Sequence, residues 1–376
     1  MADHQDYLPG ELPAVHASTH EDGGADEIVL TDLDGIPAEL TIHAALPTVH
    51  QDAPALISKS ISNIVVSNWT IRTSAADNTW YSVCWSPDLG LFCAVAASGT
   101  GNRVMTSPDG INWTIRTSAA DNTWYSVCWS PDLNLFCAVA ASGAGNRVMT
   151  SPDGINWTIQ TSAANIPWYS VCWSPDLALF CAVASYIFGN CVMTSPNGID
   201  WTIRTSAANI SWTSVCWSPD LDLFCAVAAS GAGNRAMTSH NGIDWTIRTS
   251  AANNTWQSVC WSPDLNLFCA VAASGTGNRV MTSPNGIDWT IRTSPADNYW
   301  YSVCWSHDLG LFCAVATSGT GDSVMTSHDG IEWTLRTSAA DNYWRSVCWS
   351  PDRGLFCAVA ASGTGNRVMT SLFYKE

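Results

Sequence analysis

The sequence predicts an all-β chain folded as a seven-bladed β-propeller, and three observations lead there. The tryptophan of an Asn-, Asp- or Glu-Trp-Thr step recurs at Trp69, Trp113, Trp157, Trp201, Trp245, Trp289 and Trp333, always 44 residues apart. Self-similarity at that period marks a repeat protein, in which each unit is one supersecondary element unable to bury its apolar face alone. Each unit holds four short segments rich in Val, Ile, Thr and aromatic residues, divided by Pro-Asp, Ser-Gly and Asp-Gly or Asn-Gly turns; four strands in about 44 residues make a propeller blade. Finally, the first copy begins at its fourth strand and the last copy ends after its third. Seven complete sheets therefore form only if residues 67–73 join strands drawn from 344–371. That pairing closes the ring and hides the edge strands that would otherwise invite association.

Taken in order, residues 1–63 form a separate N-terminal segment and residues 64–376 the propeller. Residues 1–66 hold five of the eight histidines and eleven acidic residues against one lysine, with prolines at 9, 13, 37, 47 and 54. Residues 51–63 read as a short helix or an extended linker. His16 and His20, with Asp22 and Asp26, have the donor types for a metal if a three-fold axis triples them; hydrogen bonding within a polar loop is the other reading. The start, MADHQDYL, lacks the basic, apolar, small-residue order of a signal peptide. No apolar run is long enough to span a membrane. The formal net charge of −17 disfavours nucleic acid and anionic membranes, which need basic patches. No cofactor is assigned.

Within a unit, WYSVCWS (80–86) is strand A and LFCAVAA (91–97) strand B. A hairpin centred on PDLG places Cys84 opposite Cys93. Fourteen of the fifteen cysteines follow this pattern; free thiols are expected over disulfides, because opposed strand positions have poor bridging geometry and a cytosolic origin keeps thiols reduced. Cys191 stands where other copies have arginine. NRVMTS (102–107) is strand C and NWTIRTS (112–118) strand D. All 21 tryptophans occupy three repeat positions, exemplified by Trp69, Trp80 and Trp85, so they belong to the unit and do not mark separate sites.

The turn between strands C and D, Ser107-Pro-Asp-Gly-Ile-Asn-Trp113, recurs at 151–157, 195–201, 239–245, 283–289 and 327–333. It resembles the Asp-box of sialidase-like propellers: the aspartate caps turn amides, the glycine takes a positive φ and the tryptophan plugs the blade edge. Asn197, Asn241 and Asn285 replace the aspartate and can cap as well. The seventh corner, split between Ser371 and Trp69, lacks the box. The stretch from His16 to Ile28 (HASTHEDGGADEI), followed by Leu33-Asp-Gly-Ile-Pro37, resembles a segment of bacteriophage tail-fibre and virion adhesin proteins. That resemblance implies attachment to a tail or baseplate protein through residues 1–63, most often as a homotrimer. It also implies a place on a virion tail or other extracellular particle, made in the cytoplasm without a signal peptide.

The sialidase resemblance raises an enzymatic possibility, which would need three arginines from different blades, a tyrosine paired with glutamate and an aspartic acid. Eleven of the thirteen arginines instead recur at two repeat positions, and beyond residue 66 the glutamates are Glu332, in a C-to-D turn, and the terminal Glu376. The chain is therefore read as non-enzymatic. Its D-to-A loops and B-to-C loops share one face, where the copies differ most. Candidate ligand residues there are Asn78, Trp80 and Tyr81; Asn122, Trp124 and Tyr125; Trp168 and Tyr169; Trp212; Trp256; Tyr299, Trp300 and Tyr301; and Tyr343, Trp344 and Arg345. Aromatic rings beside Asn and Arg suit carbohydrate, whose apolar faces stack while its hydroxyls take directed hydrogen bonds. Seven shallow sites would add avidity. Packing between blades is the alternative role for the Trp80 series. Positions 90, 134, 178, 222 and 266 vary on the opposite face. The expected function is receptor binding to cell-surface glycan; the alternatives are a structural or protein-binding cap of a tail or injection particle and, third, a sialidase-type hydrolase.

Overall fold

The computed structural model describes residues 68–186 and 189–372. The His16 and His20 metal expectation, the 51–63 helix or linker and the tail-fibre-like stretch lie outside them. Among the described residues, twenty-eight strands form seven four-stranded antiparallel sheets and no helix. Blade 1 comprises strand A (Trp80–Ser86), strand B (Leu91–Ala96), strand C (Val104–Ser107) and strand D (Thr114–Arg116). Blades 2 to 6 repeat this order. Blade 7 takes strands A to C from Trp344–Ser350, Leu355–Ala360 and Val368–Leu372, and its strand D is Trp69–Arg72. The closing register sets Trp69 against Ser371 and Arg72 against Val368, so the ring closes as the cut points predict.

Strand A packs against its counterparts in both neighbouring blades and lines the axis. Two hydrogen bonds repeat between adjacent blades: the Val127 amide donates to Ser82 Oγ at 3.1 Å, and Trp129 Nε1 donates to Asp88 Oδ2 at 2.8 Å. The same bonds cross the closure, from Val83 to Ser346 and from Trp85 to Asp352. Between the sheets, one blade presents its first and sixth strand-A positions and a strand-B phenylalanine, as in Trp124, Trp129 and Phe136. The preceding blade answers with Cys93, Val95 and Val104. Cys84 faces Cys93 in register as expected, and all fifteen cysteines are free.

The C-to-D corners explain why Asn substitutes for Asp. In blade 1, Asp109 Oδ1 accepts the amides of Ile111 and Asn112, and Asn112 Nδ2 donates to Asp109 Oδ2. In blade 3 the pair is exchanged: Asn197 Oδ1 accepts from Ile199 and Asp200, and Asn197 Nδ2 donates to Asp200 Oδ2. The bond count is the same with the charge moved three residues along. Burial opposes the charge on Asp109, but donors from Asn112, Ile111 and Ser107 outweigh it and hold the carboxyl down at about 2. Trp113 Nε1 closes the corner on the Gly110 carbonyl.

Strand D is shorter than expected, three residues in blades 1 to 6. The corner holds residues 112 and 113, and the Ser118 amide leaves the sheet to bond the Gly101 carbonyl. Variation at 90, 134, 178, 222 and 266 has a local cause. Gly90, Asn134, Ala178, Asp222 and Asn266 all have φ between 47° and 57°, a left-handed position that Gly, Asn and Asp fill readily.

Candidate functional site

In every blade the pairing of strand A with strand B slips by one residue between the first and third positions of strand A, as between Trp80 and Ser82. The residue between them sits on a β-bulge, a device that re-aims a side chain out of the sheet's alternation. Applied seven times around a ring, it turns seven side chains toward the axis at the mouth nearest the D-to-A loops. Blades 1 to 3 contribute Tyr81, Tyr125 and Tyr169, blades 4 and 5 Thr213 and Gln257, and blades 6 and 7 Tyr301 and Arg345. All seven are half-buried and enclose a cavity of about 80 Å³.

Five of these side chains form a continuous belt. Tyr169, Tyr125 and Tyr81 follow one another with ring centroids 4.4 Å apart. The Arg345 guanidinium then lies 4.9 Å from the Tyr81 ring and 4.2 Å from that of Tyr301. Burial, then the neighbouring phenols, pushes Tyr125 up; burial also raises Tyr301, against the pull of Arg345. Both phenols therefore keep their protons at neutral pH and can donate. Thr213 directs its hydroxyl at the carbonyls of Val227 and Trp256, leaving Gln257 as the other free amide or hydroxyl of the ring's polar arc.

Outside the axis, two tyrosines of the D-to-A loops also stand on this face. Tyr299 is 53% exposed and Tyr343 55%, on the adjacent blades 6 and 7. The other blades have Thr79, Thr123, Pro167, Ser211 and Thr255 at that position. Arg279 lies 5.6 Å from the Tyr299 ring. The amides of Tyr299 and Tyr343 are tied to Ser318 and Ser362 at 2.8 Å, which fixes the backbone beneath each ring.

The remaining candidates have other work. Trp80, Trp124, Trp168, Trp212, Trp256, Trp300 and Trp344 are fully buried, and each indole N–H donates to an alanine carbonyl four residues back, as Trp80 does to Ala76. They pack between blades and offer no face to a sugar, which corrects their place among the ligand residues. Asn78 and Asn122 are buried too, and clamp the neighbouring B-to-C loop through the carbonyls of Asn102 and Asn146. The Arg103 series is likewise engaged: Arg103 donates to the carbonyls of Gly99, Ala97 and Asn122. Seven equivalent shallow sites are thus replaced by one axial cavity and two exposed rings. Thr213 and Gln257 escaped the sequence reading. The signal for them was the single column after an unvarying tryptophan, where the copies read Tyr, Tyr, Tyr, Thr, Gln, Tyr and Arg.

Among the described residues no carboxylate joins the axial ring. On this face the aspartates of the D-to-A loops are bound: Asp121 accepts the Gly101 amide at 2.6 Å and sits 3.6 Å from Arg103, with Asp77 and Asp297 arranged alike. Among the described residues no three His, Cys, Asp or Glu side chains gather as metal ligands.

No protein-family model matches the chain, and no curated protein matches it in sequence. Solved structures share its fold. A streptogramin B lyase superposes with a TM-score of 0.67 at 7% identity, covering 81% of this chain and 97% of the lyase. A chain of the mitotic checkpoint complex gives 0.61 at 14%, covering 82% and 95%. The β-propeller domain of Myceliophteria thermophila Cps50 (Swd1) gives 0.60 at 12%, covering 82% and 100%. Identities this low establish the β-propeller architecture and nothing about activity.

Proposed function

We propose that the protein is a non-enzymatic recognition module that binds cell-surface carbohydrate with the D-to-A face of its propeller. The observation that carries this reading is the pair of exposed tyrosines, Tyr299 and Tyr343, on neighbouring blades. Five blades keep a small residue there, and the two that do not lie beside the axial Tyr301 and Arg345. A rigid phenol on a tethered backbone loses little entropy on binding and stacks on a sugar face. The non-enzymatic part is supported by the aspartates of this face being engaged with amides and arginines, and by Glu332 lying in a C-to-D corner at the opposite end of the blade. The His16 to Ile28 resemblance supports placement on a tail fibre or similar extracellular particle, as a homotrimer attached through residues 1–63.

Binding to an array of bacterial surface polysaccharides, compared between the native chain and Tyr299→Ala/Tyr343→Ala, tests the reading. At least a tenfold loss with unchanged thermal stability is expected. Saturable binding to no polysaccharide, or full retention by the double variant, would overturn it. A second reading, a protein-binding cap, has one observation in its favour. Six C-to-D corners each expose an isoleucine on the face opposite the tyrosines, from Ile111 at 42% to Ile199 at 52%, a set of apolar contact points that a protein partner would cover. Ile199→Lys/Ile243→Lys would then release a protein partner without touching glycan binding.

A further inference from the structure

The axial cavity contains an unbalanced charge. Three arginines of the same face, Arg103, Arg279 and Arg367, each lie within 3.6 Å of an aspartate, and Arg147 and Arg235, which have no ion pair among the described residues, donate to two or three backbone carbonyls each. Arg345 has no such ion pair among the described residues. Its guanidinium is held between the Tyr81 and Tyr301 rings, and its Nε is buried without a hydrogen-bond partner. A half-buried cation that lacks a counter-charge and an N–H that lacks an acceptor are both costly unless something else supplies them. Tyr301 hydrogen-bonds Arg345, and Tyr125 hydrogen-bonds Tyr81 and Tyr169, but none of these phenols, nor the amide of Gln257, brings a negative charge, and each has a proton to offer.

Size narrows the occupant. A water needs roughly 10–15 Å³ measured this way, so about 80 Å³ holds a few waters or one small polyatomic ion. It is well below the ~300 Å³ at which ordinary ligand pockets begin, which favours a small group over a whole saccharide. Guanidinium and phenol donors converging on a small space match the planar or tetrahedral oxygens of an oxyanion, with charge-assisted bonds roughly twice as strong as neutral ones.

We propose that the axial mouth is a seat for one compact oxyanion group per chain, a carboxylate, phosphate or sulfate, held by Arg345 and the flanking phenols. The group arrives either as a free ion or as the acidic substituent of a larger ligand whose body stays outside. This seat is independent of the carbohydrate reading, because Tyr299 and Tyr343 take no part in it.

The test is calorimetric titration of the full-length protein at low ionic strength, since the net charge of −17 opposes anions at long range. The probes are sodium phosphate, sodium sulfate and glucuronate, with glucose and sodium chloride as controls. Arg345→Gln is the informative variant, because Gln257 already occupies the equivalent bulge in blade 5 and the fold accepts it there. The expected result is saturable binding of phosphate, sulfate or glucuronate with one site per chain, weakened at least tenfold in Arg345→Gln and partly kept in Arg345→Lys. Glucuronate binding alongside phosphate identifies a ligand-borne carboxylate as acceptable; phosphate and sulfate without glucuronate confine the seat to free ions. Tyr299→Ala/Tyr343→Ala should leave all of this unchanged, which separates failure of the seat from failure of the glycan reading. No saturable binding of any of the three anions, or Arg345→Gln within twofold of the native chain, would overturn the proposal.

Discussion

Truncating Trp124 to alanine separates a packing role for the buried indoles from a ligand role. The side chain is fully buried between blades 1 and 2, in contact with Cys93, Val95 and Val104. A buried aromatic of this kind removes roughly 150–250 Å² from water, and at about 25 cal/mol per Å² its loss is worth up to ~4–6 kcal/mol. Measured Trp→Ala changes in cores run about 3–5 kcal/mol, because the cavity collapses in part. The Ala120 carbonyl also loses its indole donor. Taking ~4 kcal/mol, and an unfolding entropy of ~0.6 kcal/mol/K for about 300 residues in one cooperative ring, the melting temperature should fall by about 6 °C. Differential scanning calorimetry measures this directly, with Tyr343→Ala as the control. That ring is more than half exposed, and its loss should move the transition by less than about 1 °C. If Trp124→Ala melts with the native chain while losing ligand binding, the indole faces ligand and the packing account is wrong.

Three further expectations concern backbone and charge. Gly154 has a φ of +71°, and a Cβ there would meet Leu91 at 3.1 Å and Phe136 and Thr106 at 3.3 Å; Gly154→Ala should cost about 1–3 kcal/mol in urea unfolding, and a neutral result would refute the tight corner. Ala178 has a φ of +47° where glycine stands in blades 1, 6 and 7, so Ala178→Gly should raise the urea midpoint, by the equivalent of about 0.5–1 kcal/mol. Asp109 and Asp153 are held at about 2, below the ~3.9 of an unfolded aspartate. Their contribution is therefore present above about pH 4 and is lost as pH falls through 2, each below ~1 kcal/mol because both are largely exposed. Asp109→Asn/Asp153→Asn should flatten the acid limb of a urea-midpoint profile between pH 4 and 2, and an unchanged limb would dispose of the assignment.

Period, turn chemistry and the offset termini made the propeller legible from sequence, since each is a local consequence of residue type at fixed spacing. The Asp-Gly and Asn-Gly corners, the Cys84 to Cys93 register and the closure of Trp69 onto Ser371 all follow from such local rules. Roles decided between blades were not legible. Trp80 and Tyr81 are neighbours in sequence and both aromatic, yet one is fully buried and the other reaches the axis. The difference is a bulge, and nothing in the letters WYSVCWS distinguishes a bulged strand from a regular one. Asn78 looked like a sugar-binding amide; its partner, the Asn102 carbonyl, lies 24 residues away on a loop whose approach depends on the folded blade.

Near-identical repeats pose a problem for any single site, since whatever one blade offers the others offer too. Here the strand-A bulge resolves it, because seven equivalent positions meet at the axis and substitution at any one of them changes the shared cavity. Arg345 is such a substitution. A guanidinium on the rim of one blade would be one charge among many, whereas on the axis it faces residues from all the others and is clasped by phenols from the blades on either side. The exposed tyrosines follow a different logic, since Tyr299 and Tyr343 point outward and act only with neighbours on the same sector. Blade 7 carries both kinds of change, Tyr343 on the rim and Arg345 on the axis, and it adjoins blade 6, where the rim residue Tyr299 accompanies the common axial tyrosine, Tyr301. Departures from the repeat occur in other blades as well, as at Cys191, Thr213 and Gln257, but blade 7 with its neighbour blade 6 is where a rim departure and a charged axial departure stand side by side, and both proposed sites draw on that sector.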